Sequence, residues 1–87
     1  MKTLVICRPL PGADQAAFSA LVGEELAALR RLKVDGLLLE AYSPGRPGAV
    51  LVLEGEAGTV EDAVRGLPLA QAGLLSMEKF PLYPMDL

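Results

Sequence analysis

Hydrophobic positions along the chain switch between two periods. Lys2-Thr3-Leu4-Val5-Ile6-Cys7-Arg8 is rich in β-formers and apolar on both faces, and Pro9-Leu10-Pro11-Gly12 stops it. That pattern predicts a first strand and a loop. From Asp14 to Lys33 the residues Phe18, Leu21, Val22, Leu26, Leu29 and Leu32 form one continuous stripe at helical spacing, so a long amphipathic helix follows. Asp14 suits its N-cap or first turn, while Arg30, Arg31 and Lys33 suit the negative end of its dipole. Val34-Asp35-Gly36 ends the helix, Leu37 to Tyr42 reads as a second strand, and the turn cluster Ser43-Pro44-Gly45-Arg46-Pro47-Gly48 leads into a third, Ala49 to Glu54. A second, shorter helix is expected with Thr59 as its N-cap and its end near Pro68, and Gly73 then releases the chain into a fourth strand, Leu74 to Phe80.

The order is β-α-β-β-α-β, the ferredoxin-like split motif: one α+β domain over residues 1–87 with a four-stranded antiparallel sheet and two helices on one face. That topology puts the first and third strands in the middle of the sheet, and these are the strands with almost no polar residue. The expected edges carry Glu40, Tyr42, Ser76, Glu78 and Lys79. Two helices cover one face only, so strands apolar on both sides predict a homodimer packed sheet against sheet. Residues 81–87, with Tyr83 between two prolines, read as a stiff C-terminal arm lying on the neighbouring subunit.

Composition narrows the function more than the fold. Hydrophobic residues make up 52% of the chain and mean hydropathy is +0.38, yet no apolar run approaches the roughly 20 residues that a membrane span needs. No signal-peptide pattern opens the sequence, and a single cysteine, Cys7, has no partner for a disulfide; a reducing cytoplasm is expected. Net charge is −3 with no basic run, which argues against nucleic acid. There is no histidine, so the usual general base, the triads built on it and the commonest metal ligand are all missing. No metal-ligand cluster, C-x-x-C or phosphate-binding glycine loop appears, and neither a metal nor a cofactor is expected.

Leu67-Pro68-Leu69, followed by the terminal strand and Pro81-Leu82, resembles the closing segment of the dimeric α+β-barrel superfamily, and within it most of all the muconolactone isomerase-like proteins. Glu25-Leu26-Ala27 adds to that likeness, and Ala72-Gly73-Leu74 resembles the corresponding turn of YciI-like proteins. The resemblance implies a small cofactor-free isomerase that moves a proton α to a carbonyl in a lactone or organic acid. The second strand, Leu37-Leu38-Leu39-Glu40-Ala41-Tyr42, differs from the basic, aromatic one of muconolactone isomerases, and the histidine of YciI-like proteins has no counterpart.

Glu25 is the first candidate for chemistry. At about 100° per residue it falls within the apolar stripe, between Leu21, Val22, Leu29 and Leu32, whereas Glu24 projects to the flank. An inward carboxylate is costly unless paired, protonated or facing a wet cavity, and burial raises its pKa toward the range of a general base. Its competing reading is an ion pair with a lysine or arginine, or a place at the helix edge. Tyr42 is the candidate hydrogen-bond donor to a substrate carbonyl, and Arg8 the candidate anchor for a substrate carboxylate at the cavity mouth. The competing readings are a solvated strand end for Arg8 and a half-buried edge-strand tyrosine for Tyr42. Cys7 reads as a buried inert thiol. The alternative function is a non-catalytic small-ligand-binding or regulatory dimerisation module.

Overall fold

The computed structural model describes residues 1–87. The chain runs β1 (Lys2–Pro9), α1 (Gln15–Val34), β2 (Leu38–Tyr42), β3 (Ala49–Glu54), α2 (Ala57–Arg65), α3 (Pro68–Gln71) and β4 (Leu75–Leu82). All pairings are antiparallel and the strand order is β2-β3-β1-β4, so the ferredoxin-like α+β fold expected from the hydrophobic pattern is the fold observed.

Alternation along β1 decides what each face of the sheet does, because successive side chains point to opposite sides. Thr3, Val5 and Cys7 are buried, and their partners across the β1–β3 ladder are Leu53, Leu51 and Ala49. This is the face that the helices cover. Val5, Cys7, Leu38, Leu51 and Leu53 meet Val60 and Val64 of α2 and Leu67 in one core cluster, with Leu29 and Leu32 of α1 packed against it. Leu4 and Ile6, opposite Val52 and Val50, point the other way. Together with Phe80 and Leu82 of β4, they make an apolar face that no element of the chain covers.

Local chemistry explains most of the boundaries. Asp14 Oδ1 accepts the Ala16 N–H at 2.9 Å and caps α1, and Arg31 and Lys33 occupy its last turn. Gly36, at φ +82°, closes that helix while the Leu37 N–H bonds back to the Leu32 carbonyl at 3.0 Å. Three expectations need correction. Helix α2 begins at Ala57 with Glu56 in the cap position and no side-chain cap bond, so Thr59 lies inside the first turn and is not the N-cap. Burial of Val60 and Val64 one turn apart fixes that helix in place of a cap. Pro68 does not end α2 but starts α3 at a position where its missing N–H costs nothing. Residues 81–87 are not all arm: Pro81 and Leu82 pair with Thr3 and Lys2 inside β4. An edge strand tolerates proline when the missing donor faces away from the ladder. Beyond Leu82 the chain leaves the sheet, with Tyr83 and Met85 exposed.

The β2–β3 loop returns through Gly48 at φ +127°, where a Cβ would stand 2.4 Å from the Cys7 carbonyl oxygen. Gly48→Ala is therefore expected to lower stability by about 2–4 kcal/mol, through a strained φ and a backbone clash together. Urea unfolding monitored by circular dichroism checks it; an unchanged midpoint would show that the loop is not pinned against β1.

Candidate functional site

Helix α1 packs mainly on α3 and β2, which leaves its N-terminal half standing off the sheet. Leu29 and Leu32 reach the core, but Val22 and Leu26, two turns and one turn before Leu29 on the same stripe, remain 39% and 45% exposed. The gap is a cleft of about 210 Å³. Phe18, Val22, Leu26 and Leu29 form its helical wall, Cys7, Gly48 and Ala49 its sheet side, and Leu69 and Leu75 close it. Apart from Glu25 and Cys7, no polar side chain lines it.

Glu25 is the single buried residue of α1, 8% exposed. Its Oε1 accepts the Leu69 N–H at 2.9 Å. That bond does the work of a missing cap: Leu67, in the N-cap position of α3, has no side chain able to satisfy the first-turn donors. The competing ion-pair reading fails, because the four ion pairs of the chain join Met1 to Glu54, Arg8 to Glu78, and Arg65 and Lys79 to Glu61. Glu25 Oε2 accepts no hydrogen bond from the protein and is open to solvent, since it is not among the fully buried atoms left without a partner. Burial pushes the carboxyl above its ordinary range, and the Leu69 hydrogen bond offsets part of that rise. Cys7, beside it in the cleft wall, is 4% exposed and its thiol is pushed up to about 11, by burial first and by the charge of Glu25 second. It stays protonated near neutral pH, in keeping with an inert thiol.

Arg8 and Tyr42 lie elsewhere. Strand alternation sends Arg8 to the face opposite Cys7, where its guanidinium pairs with the Glu78 carboxylate. The expected place at the mouth of the Glu25 cleft is thus corrected: Arg8 stands across the sheet from it. Tyr42 is opposite Val50 and 56% exposed, and its hydroxyl donates to Glu40. That hydrogen bond, with the charge of Glu40 behind it, raises the phenol pKa. Within one chain the three candidates do not form one site. Lys79 and Glu78 project to opposite faces, Lys79 toward Glu61 of α2 and Glu78 toward Arg8.

Two contributors escaped the sequence reading. The Leu69 N–H is a backbone group brought in by α3, whose own existence the sequence did not announce. Phe18, Val22 and Leu26 read as core, and their incomplete burial follows from how α1 docks. No group of three His, Cys, Asp or Glu side chains is placed to hold a metal ion, and no helix is long and apolar enough to cross a membrane.

No family model and no curated protein matches the chain. Among solved structures, 5-chloro-2-hydroxyhydroquinone dehydrochlorinase from Burkholderia phenoliruptrix AC1100, in complex with 2,5-dihydroxybenzoquinone, superposes with a TM-score of 0.76. The match covers 95% of this chain and 94% of that one at 20% identity. The two chains share a fold. It is the ferredoxin-like α+β fold described above.

The raised pKa of Glu25 sets a sign for stability against pH. The stabilising contribution of the neutral form is full below the unfolded-state pKa and is lost as pH rises through the higher folded value. Glu25→Gln keeps an oxygen for the Leu69 N–H and removes the titration. The variant is expected to gain stability relative to wild type as pH goes from 4 to 7, read from urea midpoints at several pH values. A difference independent of pH would mean that Glu25 titrates normally.

Proposed function

We propose that this chain is a small cofactor-free enzyme that moves a proton next to a carbonyl in a compact cyclic substrate, with Glu25 as the base, and that it acts as a sheet-packed homodimer in the cytoplasm. One observation carries the chemistry: a buried carboxylate with no cation beside it has a free oxygen in an apolar cleft. In such a place the basic form is destabilised by desolvation, which raises its driving force for taking a proton from carbon. The substrate C–H bond breaks, the proton goes to Glu25 Oε2, and the electron pair moves into the carbonyl as an enolate. Returning the proton to a second carbon of the conjugated system completes an isomerisation. The carboxylate is regenerated and nothing is oxidised or reduced.

The hydrogen bond from Leu69 holds Oε1 in place, so Oε2 is presented in a fixed direction. Cys7, kept as the thiol, is the other polar side chain within reach and a weak donor to the developing oxyanion. Tyr42 and Arg8 take no part in this step, since they face the other side of the sheet. A neighbour in fold, at 20% identity, is a dehydrochlorinase bound to a quinone, which supports proton removal from a small ring as chemistry that this architecture accommodates. The second reading, a non-catalytic ligand-binding module, draws on the structural task Glu25 already performs for α3.

The uncovered sheet face, where Leu4, Ile6, Val50 and Val52 are only half-buried and Phe80 and Leu82 exposed, supports the dimer. A second copy laid on it removes that surface from water.

With a substrate identified by thermal-shift screening of lactones and cyclic ketones, Glu25→Gln is expected to lower kcat/KM by roughly a hundredfold or more, the usual weight of a general base. Unchanged turnover would remove Glu25 from the reaction and favour the binding module. In sedimentation at micromolar concentration the wild type should run as a dimer, and Val52→Lys, which places a charge in the middle of the open face, as a folded monomer. A monomeric wild type would overturn the assembly.

A further inference from the structure

We infer that the Glu25 cleft selects uncharged one-ring compounds carrying a hydroxyl donor and rejects carboxylates. This rests on the Glu25 cleft being the substrate site, and it narrows the lactone-or-acid range that the superfamily resemblance implies. Size sets the first limit. About 210 Å³ lies just above an engineered cavity of roughly 150 Å³ that holds benzene and below the roughly 300–1,000 Å³ of pockets for drug-sized ligands. One six-membered ring with one or two substituents fills it.

Charge sets the second limit. The lining contains no lysine or arginine, and its one ionisable carboxyl is Glu25. A ligand carboxylate entering here loses part of its hydration, finds no counter-charge in the lining and, with Glu25 ionised at neutral pH, meets a group of its own sign. The cations nearest in the fold do not help. Arg8 and Arg46 line a neighbouring depression that meets the cleft at Cys7, Pro47 and Ala49 but does not include Glu25, and Arg8 is already paired with Glu78. Hydrogen bonding sets the third limit. Glu25 Oε2 is an acceptor without a donor, so the ligand group that gains most is a hydroxyl. The remaining walls, Phe18, Val22, Leu26, Leu29 and Leu75, offer a ring only apolar contact.

Calorimetric titration of the full chain at neutral pH with phenol, benzamide and benzoate tests this without turnover. Benzamide and benzoate have nearly the same shape and differ in charge. Benzamide should bind roughly a hundredfold more tightly than benzoate, the scale of one like-charge repulsion at close range in a partly buried site. In Glu25→Gln, phenol should lose about tenfold in affinity as its charge-assisted hydrogen bond becomes a neutral one, while benzoate should gain. Leu26→Trp, at a half-exposed position of the cleft wall, should fill the space and abolish binding of all three, with helical content unchanged by circular dichroism. Benzoate binding as tightly as benzamide would overturn the inference. So would phenol affinity indifferent to Glu25→Gln, binding that survives Leu26→Trp, or no binding of any probe. Because the readout is affinity, a cleft that shows this selectivity while Glu25→Gln retains full turnover refutes the proposed reaction and leaves the ligand class standing. The reverse result separates them equally well.

Discussion

Strand β1 has partners on both sides and side chains on both faces that avoid water, and three helical segments are available to cover only one of those faces. Thr3, Val5 and Cys7 go under the helices, and Leu4 and Ile6 are left outside. Everything larger follows from that division. The inner row meets Leu51 and Leu53 and gathers Val60, Val64 and Leu67 into the core. The outer row, extended by Val50, Val52, Phe80 and Leu82, is the surplus apolar surface that a chain of 87 residues cannot bury with its own helices. The same alternation keeps Arg8 away from Glu25, so the division that leaves an apolar face uncovered also decides which side chains share a face.

On the covered side, the fold leaves a gap because α1 is held at its C-terminal half. Leu29 and Leu32 fasten it to the core, and Glu25 ties it to the first turn of α3 through the Leu69 N–H. One turn beyond that bond the helix has no partner on the sheet. A cleft therefore opens beside the one residue of α1 that is buried. The close approach of Gly48 to the Cys7 carbonyl brings the loop end of β3 against β1 and supplies the opposite wall. Position, enclosure and the buried carboxylate thus have common structural causes and do not need separate ones.

How much of this was legible in the sequence depends on whether the cause was local. Alternation and helical period are local, and they located every strand and the long helix. Asp14 as a cap and Gly36 and Gly73 as stops are local too. The inward direction of Glu25 was legible because it interrupts an apolar stripe. The start of α2 was not, since Glu56 makes no cap bond and the helix is set by core packing of Val60 and Val64. Proline at position 81 read as the end of a strand, and only the edge position of β4 makes it tolerable there. The placing of Arg8 opposite Cys7 could have been read from strand alternation alone; expecting it at the mouth of the Glu25 cleft overlooked the period of two. The separation of Tyr42 from Glu25 needed more, because β2 carries a register shift between Leu38 and Glu40, and a one-residue slip exchanges faces.

The structural task of Glu25 does not account for its charge. Leucine at this position would continue the apolar stripe but leave the Leu69 N–H without its acceptor, at a cost of about 1–3 kcal/mol if that donor is buried. Glutamine would satisfy the same donor and carry no charge into the core. Compared with glutamine, a carboxylate buys α3 only the difference between a charged and a neutral acceptor, and against this stands the desolvation that has already moved its pKa upward. On packing and capping alone, glutamine is the better residue. What glutamate adds is a carboxylate that can take up and return a proton, on a residue that lines the cleft. That is a property of no use to the fold, and it is the reason to read this position as chemistry.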